Sequence, residues 1–365
     1  MISLHGAYDN ENFGDELLVG IQAKWVQELD LKVGLPFASQ VYRDQISSSE
    51  AVGEECLNKS EKLIYTGGGY FGEPNHKKYK WGINFFRKKH HVPGKNFKKN
   101  NKKYMIAGVG AGPVSNILTR TSIVNICNSA EKVLVRDEAS FEYLKKYGVK
   151  NMEMKITGDV VLSLSEEDIP RKSIKEASNI IAKDKAKYFL GIHIGVAPGD
   201  SFYKDNIENV MKSILKVLEN ADIKPVLIAD KRNSLPQEKA IDEMRKRLKE
   251  EPLIYRHENM WDTCAFLSQL DGVITTKLHV GITSFALGTK TFGIAAHQKT
   301  KRFYEQINKE KNFYELSQIN EDISTSIREF IQEEYWDKDT LEVKQELKRK
   351  ALENKQEVIS FLNGN

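Results

Sequence analysis

In the run GVITTKLHVGITSFALGTKTFGI, Gly272 to Ile294, a lysine and a histidine two positions apart interrupt an otherwise apolar segment. An ammonium group can hold an anion and an imidazole can carry a proton near neutral pH, so Lys277 and His279 together suit acid chemistry on a charged substrate. Val273 and Ile274 read as the end of a buried strand, Gly281 to Leu287 as the first turns of a helix, Gly288 as its stop, and Thr291 to Ile294 as the next strand. The pair therefore falls on a strand-to-helix turn. In an open α/β sheet such a turn lies at the carboxyl ends of the strands, where ligands bind.

Other strand ends carry residues of the same kind. In GAYDNENFGDE, Gly6 to Glu16, helix amides and Asn12 can meet an anionic or hydroxylated ligand while Asp15 or Glu16 handles a proton; Asp15 can equally be the helix cap. YTGGGYFGEP follows a strand with Gly67, Gly68 and Gly69 in a row, which lets the backbone approach a ligand and offer N–H groups to phosphate or carboxylate. No Gly-Lys-Ser/Thr follows, so this is not a P-loop. GVGAGP, Gly108 to Pro113, reads as a tight strand-to-helix turn, and TGDVVLSL, Thr157 to Leu164, as a strand-like piece.

Arg136 comes directly after the apolar strand of VLVRDEAS and before a helix capped by Asp137. Its planar guanidinium matches carboxylate or phosphate; an ion pair with Asp137, Glu138 or Asp159 is the alternative. His193 alternates with apolar neighbours in FLGIHIGVAPGD and reads as a packed, hydrogen-bonded histidine. Lys299 and Lys301 read as exposed.

The elements that must position these residues alternate throughout. Strands are expected at Ile2 to Leu4, Lys62 to Tyr65, Tyr104 to Val109 and Val133 to Val135, with helices at Glu16 to Leu29, Ser115 to Ala130 and Ala139 to Tyr147. The same grammar returns with strands at Tyr188 to Ile194, Pro225 to Ala229 and Leu253 to Tyr255, and helices at Asn206 to Leu218, Glu238 to Leu248 and Trp261 to Leu270. Such alternation means βαβ units, parallel sheets and an α/β fold with two Rossmann-like domains. The polar stretch Ser163 to Lys185 interrupts it. The boundaries expected are 1–165 for the first domain, 166–320 for the second and 321–365 for a helical C-terminal segment packing back on the body.

A chain of 365 residues, 40% hydrophobic and 29% charged, has the composition of a globular protein with more than one core. No apolar stretch is long enough for a membrane span, and the N-terminus has no basic region followed by an apolar core, so a cytoplasmic protein is expected. Cys56, Cys127 and Cys264 lie far apart without metal spacing and read as buried thiols. The net charge of +4 hides Arg87 to Lys103, RKKHHVPGKNFKKNNKK, which is rich in Lys and Arg and has no acid. It reads either as a patch for anionic lipid headgroups or as a mobile, solvated loop. Without aromatic interleaving it does not suit nucleic acid.

NFGDE, TGGGYF, GVGAGP, VRDEAS and TTKLHVGITSFALGTKTFGI, in that order and spacing, resemble the polysaccharide pyruvyl transferase family over about Ile2 to Lys301. The resemblance implies a two-domain fold like that of GT-B glycosyltransferases, phosphoenolpyruvate as donor, no cofactor, no metal, and a sugar hydroxyl pair, free or on a lipid-linked oligosaccharide, as acceptor. It assigns His279 as the acid and Arg136 and Lys277 to holding phosphoenolpyruvate; Leu278 is expected at the substrate. Asn12, Gly68 and Gly69 are expected at the substrate, and Asp15 as the base for the attacking hydroxyl follows from the chemistry. Two departures stand out: Lys277 replaces the usual arginine, keeping the charge but losing the bidentate fork, and Gly195 stands near where many relatives carry an arginine. Acceptor choice falls to loops such as Glu73 to Lys103. A GT-B glycosyltransferase with a nucleotide-sugar donor, or a sugar- or phosphate-binding scaffold, are the competing readings.

Overall fold

The computed structural model describes residues 1–74, 78–195, 204–219, 222–295 and 298–364. Residues 75–77 of the expected acceptor loop therefore lie outside the described residues. The chain forms two compact units. One comprises Met1–Glu11, Asp15–Ser163 and Leu347–Asn365; the other comprises Asn12–Gly14 and Leu164–Glu346.

The first unit holds a seven-stranded sheet. Its strands are β1 (Ile2–His5), β2 (Val33–Gly34), β3 (Lys62–Tyr65), β4 (Gly68–Phe71), β5 (Tyr104–Ala111), β6 (Val133–Val135) and β7 (Met154–Ile156). They run in the order β2-β1-β3-β5-β6-β7, with β4 beside β5, and every pairing is parallel. β5, YMIAGVGA, is buried along its whole length, as a parallel strand covered on both faces must be.

The second unit holds β8 (Tyr188–His193), β9 (Ile223–Ala229), β10 (Leu253–Arg256), β11 (Gly272–Thr275), β12 (Lys290–Ala295) and β13 (Phe313–Glu315). Their order, β10-β9-β8-β11-β12-β13, is the Rossmann order 3-2-1-4-5-6, again fully parallel. It reverses direction between β8 and β11. The register pairs Thr275 with His193, so the carboxyl ends of these two strands emerge side by side.

Helix ends follow local chemistry. Asn116 caps Ile117–Ser129 by accepting from the Leu118 and Thr119 amides, and Asp137 caps Glu138–Tyr147 by accepting from Ser140. Gly148 ends that helix at φ 96°, a left-handed conformation that costs glycine no steric penalty. The charged C-terminal segment is one helix, Lys338–Asn363. Within the first unit its buried Asn354 accepts from Thr157 Oγ1 at 2.9 Å and donates to the Gly158 carbonyl at 3.1 Å, while Glu357 pairs with Lys132 and Lys155.

Three expectations fail for identifiable reasons. GVGAGP is no turn: β5 continues to Ala111, its register slipping between Ala107 and Val109, with Gly108 at φ 77°. Thr157 to Leu164 is not extended; β7 stops at Ile156 and Val160–Ser163 is a single 3-10 turn, started by the Asp159 carboxylate accepting from the Val161 amide. Arg87 to Lys103 is not a mobile loop, because its apolar residues have a core to join. It forms the end of a π-helical segment, Trp81–His90, and the α-helix His91–Lys99, with Phe86 and Phe97 fully buried. His5 Nε2 and His90 Nδ1 lie 2.8 Å apart beneath it, and Tyr70 stacks on His90 at 4.5 Å. Burial, with Lys89 adding to it, holds the His5 imidazole down at about 3, so this anchor stays uncharged at physiological pH.

Candidate functional site

In the second unit the chemistry gathers where the strand order reverses. Lys277 is the N-cap of the helix Leu278–Ala286, directly after β11. It is exposed and has a cationic side chain at the helix end whose amides favour anions. Thr275 Oγ1 accepts from the Lys277 amide at 3.0 Å and fixes the turn. Leu278 is 7% exposed, so its side chain belongs to the core, and any ligand contact from this position comes from its backbone.

His279 is half-buried one residue further on. It rests on Gly14: a Cβ at that glycine would lie 2.5 Å from both Cβ and Nδ1 of His279. The short segment Asn12–Gly14 is itself tied into this unit. Phe13 donates its amide to the Asp230 carbonyl at 2.8 Å, Asn12 forms a bridge to Lys231, and the Phe13 ring meets His257 edge-on at 5.6 Å. The glycine of the NFGDE motif therefore has a job that composition does not reveal: it leaves room for an imidazole. Gly14→Ala should push that ring out of place. Overpacking of this kind costs about 1–3 kcal/mol, so the expected result is a lower melting temperature at an unchanged helix content by circular dichroism.

Beneath Lys277 lies a network of buried polar groups. His193, at the end of β8, is fully buried and donates from Nε2 to Asp230 Oδ1 at 3.0 Å, while its Nδ1 lies 3.3 Å from Thr276 Oγ1. Thr276 Oγ1 also accepts from the Gly195 amide at 2.9 Å, and Gln237 Nε2 donates to Asp230 at 2.5 Å. Burial alone would raise the Asp230 carboxyl. The charges of His193 and Lys277, with hydrogen bonds from His193 and Gln237, outweigh it and hold the group well below the usual carboxylate range. Lys277 thus projects from the end of a sheet whose interior carries a fixed negative charge. His193 is a packed, hydrogen-bonded histidine. Asp230, Gln237 and Thr276 were not singled out in the sequence, where no motif marks them.

In the first unit, Asp15 is the third residue of the helix Phe13–Gln27. It is therefore not the cap. It is half-buried, and an ideal Cβ at Gly68 would lie 4.0 Å from its Oδ1, so these two residues are neighbours. Gly68 sits at φ 134° and, with the exposed Gly69, belongs to β4 rather than to a free anion loop. Pairing of Gly68 with Val109 of β5 engages this backbone, and a Cβ at the preceding Gly67 would lie 2.7 Å from Leu18 and 3.3 Å from the Gly108 carbonyl.

Arg136 follows β6 as expected but is only 7% exposed. Its Nε and Nη1 approach Asp137 and Asp159 at 3.4 Å each, and its guanidinium lies over Gly110, where a Cβ would be 2.6 Å from Nε and Cζ. The ion-pair alternative is thus what the structure contains, with two partners instead of one. All three cysteines are buried, and burial raises each thiol. Among the described residues no group of three His, Cys, Asp or Glu is placed to hold a metal ion, and no helix is long and apolar enough to cross a membrane.

The family model of polysaccharide pyruvyl transferases matches residues 12–298. The chain belongs to that family. No curated protein matches the sequence significantly. Among solved structures, the UDP-GlcNAc 2-epimerase of Methanocaldococcus jannaschii is similar over 100% of this chain and 99% of its own, at 9% identity and TM-score 0.63. S. aureus MnaA, in a co-structure with UDP, covers 99% of this chain and 96% of its own at 9% identity and TM-score 0.60. HepE of Anabaena, in complex with UDP-glucose, covers 100% and 99% at 11% identity and TM-score 0.58. At such identities the likeness concerns the fold, which is GT-B-like with two Rossmann-like parallel sheets. The family match begins after β1 and ends before β13, and it includes the turn at the strand-order reversal, where Lys277 caps the helix that carries His279 of this transferase.

Proposed function

We infer that the protein transfers the enolpyruvyl unit of phosphoenolpyruvate to a pair of sugar hydroxyls, forming a pyruvate ketal on a surface-polysaccharide or lipid-linked oligosaccharide precursor on the cytoplasmic side of the membrane. The observation that carries this reading is the Lys277–His279 turn, a cation at a helix N-terminus with an imidazole seated on Gly14 beside it. In the reaction the methylene carbon of the donor gains a proton, its central carbon forms bonds to both sugar oxygens, and the bond to phosphate breaks. Of the two hydroxyl protons, one balances the proton delivered to carbon and the other leaves with phosphate. His279 delivers the proton, Lys277 and Arg136 neutralise the donor's phosphate and carboxylate, and Asp15 accepts a hydroxyl proton. Asn12 and the backbone at Gly68, Gly69 and Leu278 line substrate. The acid-free segment Arg87 to Lys103 holds the enzyme against anionic lipid.

A second reading, a GT-B glycosyltransferase with a nucleotide-sugar donor, is favoured by one observation: similar folds are described in complex with UDP or UDP-glucose. Thermal unfolding separates the two. Phosphoenolpyruvate at a hundredfold excess over its Kd should stabilise the wild type by about 2.7 kcal/mol, and Arg136→Ala and Lys277→Ala should each lose that gain. Stabilisation by UDP-sugars alone would transfer the reading to the glycosyltransferase.

A further inference from the structure

Between Glu73 and Glu131 the chain contains twelve Lys and Arg residues and neither Asp nor Glu. In the structure this stretch includes Trp81–His90, His91–Lys99 and Ile117–Ser129, three helical elements packed on one another. Their apolar residues Phe86, Phe97, Ile123 and Ile126 enter the core of the first unit, which turns the remaining side chains outward. Lys95, Lys98 and Lys99 share the exposed face of their helix at positions i, i+3 and i+4, opposite Pro93, Gly94 and Phe97. Lys80, Arg87 and Lys88 are exposed on the preceding segment. Of the carboxylates at the margins, Glu73 is matched by Lys78, Glu131 by Lys103 and Asp9 by Lys89, while Glu54 and Glu55 are exposed on the helix Gly53–Lys59 that packs against His91–Lys99, Glu55 paired with Lys59 of its own helix.

An apolar feature accompanies this charge. Ile117 and Leu118, the first two residues of Ile117–Ser129, are 72% and 56% exposed. A helix N-terminus favours acidic side chains in its first turn, and this one carries two aliphatic residues there instead. The turn lies against the π-helical segment, since a Cβ at Gly82 would be 2.7 Å from Thr119 Oγ1, which brings it beside the half-buried Trp81 and the exposed Lys80. Two adjacent exposed aliphatics, a neighbouring indole and a field of lysines, with the nearby Glu73 carboxylate already engaged by Ser115 and Lys78, form the pattern of a surface that enters the headgroup layer of a bilayer. The aliphatic character of the pair does not suit the stacking of nucleic-acid bases.

We propose that Ile117 and Leu118 insert into an anionic lipid surface, with Lys95, Lys98 and Lys99 supplying the long-range attraction. The inference rests on the proposed function for the electrostatic contact of Arg87 to Lys103 but not for its chemistry. It adds an apolar wedge outside that segment and a defined orientation of the first unit on the membrane.

Co-sedimentation of the full chain with phosphatidylcholine vesicles, alone and mixed with phosphatidylglycerol, tests it. Wild type should bind the mixed vesicles only. Each lysine near an anionic surface contributes about fivefold, so Lys95→Ala/Lys98→Ala/Lys99→Ala should weaken binding by roughly a hundredfold. Ile117→Ser/Leu118→Ser should weaken it by roughly a hundredfold and abolish the fraction that resists high salt. Both variants alter exposed residues, and unchanged melting temperatures verify that they fold. Equal binding to the two vesicle types, or full binding by Ile117→Ser/Leu118→Ser, overturns the proposal. So does lipid-free self-association in sedimentation velocity that this double variant abolishes, which would assign the patch to a second copy of the chain. Donor stabilisation by phosphoenolpyruvate is read separately, so a failed vesicle experiment leaves the transferase chemistry standing.

Discussion

His279→Gln should lose between about 100-fold and 10,000-fold in turnover, the range by which a positioned general acid contributes, while its melting temperature stays near that of wild type. The glutamine amide occupies similar space and donates a hydrogen bond, but it cannot give up a proton. His279 is half-buried and rests on the backbone of Gly14, so the exchange removes chemistry with little loss of packing. Release of phosphate from phosphoenolpyruvate in the presence of hexopyranoside acceptors measures it. A His279→Gln protein with wild-type phosphate release would remove His279 from the acid's role. A protein with intact donor stabilisation and no turnover would place the loss in the chemical step, where the proposal puts it.

Asp230→Ala should cost about 3 kcal/mol of folding stability, because buried hydrogen-bond donors left without an acceptor cost about 1–3 kcal/mol each. His193 and Gln237 both point at this carboxylate, and the substitution leaves those donors buried with nothing to receive them. The loss should appear as a lower urea midpoint at unchanged slope. The same group makes stability depend on pH with a definite sign. Its folded pKa lies below its unfolded value, so its contribution is complete above the ordinary carboxylate range and is lost as pH falls from about 5 through 4 towards the depressed folded value. In acid titrations of unfolding free energy, Asp230→Ala should therefore show a shallower fall than wild type. Identical acid slopes would mean that Asp230 titrates alike in both states. Because Lys277 shares the field of this carboxylate, the variant should also change donor binding, which separates a positioning role from a purely structural one.

These two residues also mark the limit of what could be read from order along the chain. His279 was visible in the sequence because it breaks a local pattern: an apolar run, a basic residue, a histidine, then helix spacing closed by Gly288, all within one strand–turn–helix unit. Asp230 follows an apolar run in the same way but carries no local sign of importance. Its partner His193 lies 37 positions away, and the Thr276 that completes the network lies 83 from His193. Only the reversal of strand order between β8 and β11 brings them to one sheet end. Arg136 was half visible. Its place after a strand could be read locally, but the choice among its acidic neighbours depended on how β7 ends and where Asp159 lands.

The sequence by itself determined the alternating α/β plan, the family, the cap at Asp137 and the strand–turn–helix unit that bears Lys277 and His279. Burial period, capping and turn preference are properties of neighbours a few residues apart, and they act before the chain has folded on itself. Tertiary structure decided which glycines make room for which side chains: Gly14 for His279 and Gly110 for Arg136. It also turned the basic stretch into helices, because Phe86 and Phe97 gained a core to enter, and exposed Ile117 and Leu118 beside it. The physical reason is common to all of these. A side chain's environment is set by atoms that are distant in sequence, and close approach, burial and the pairing of charges exist only once those atoms have been brought together.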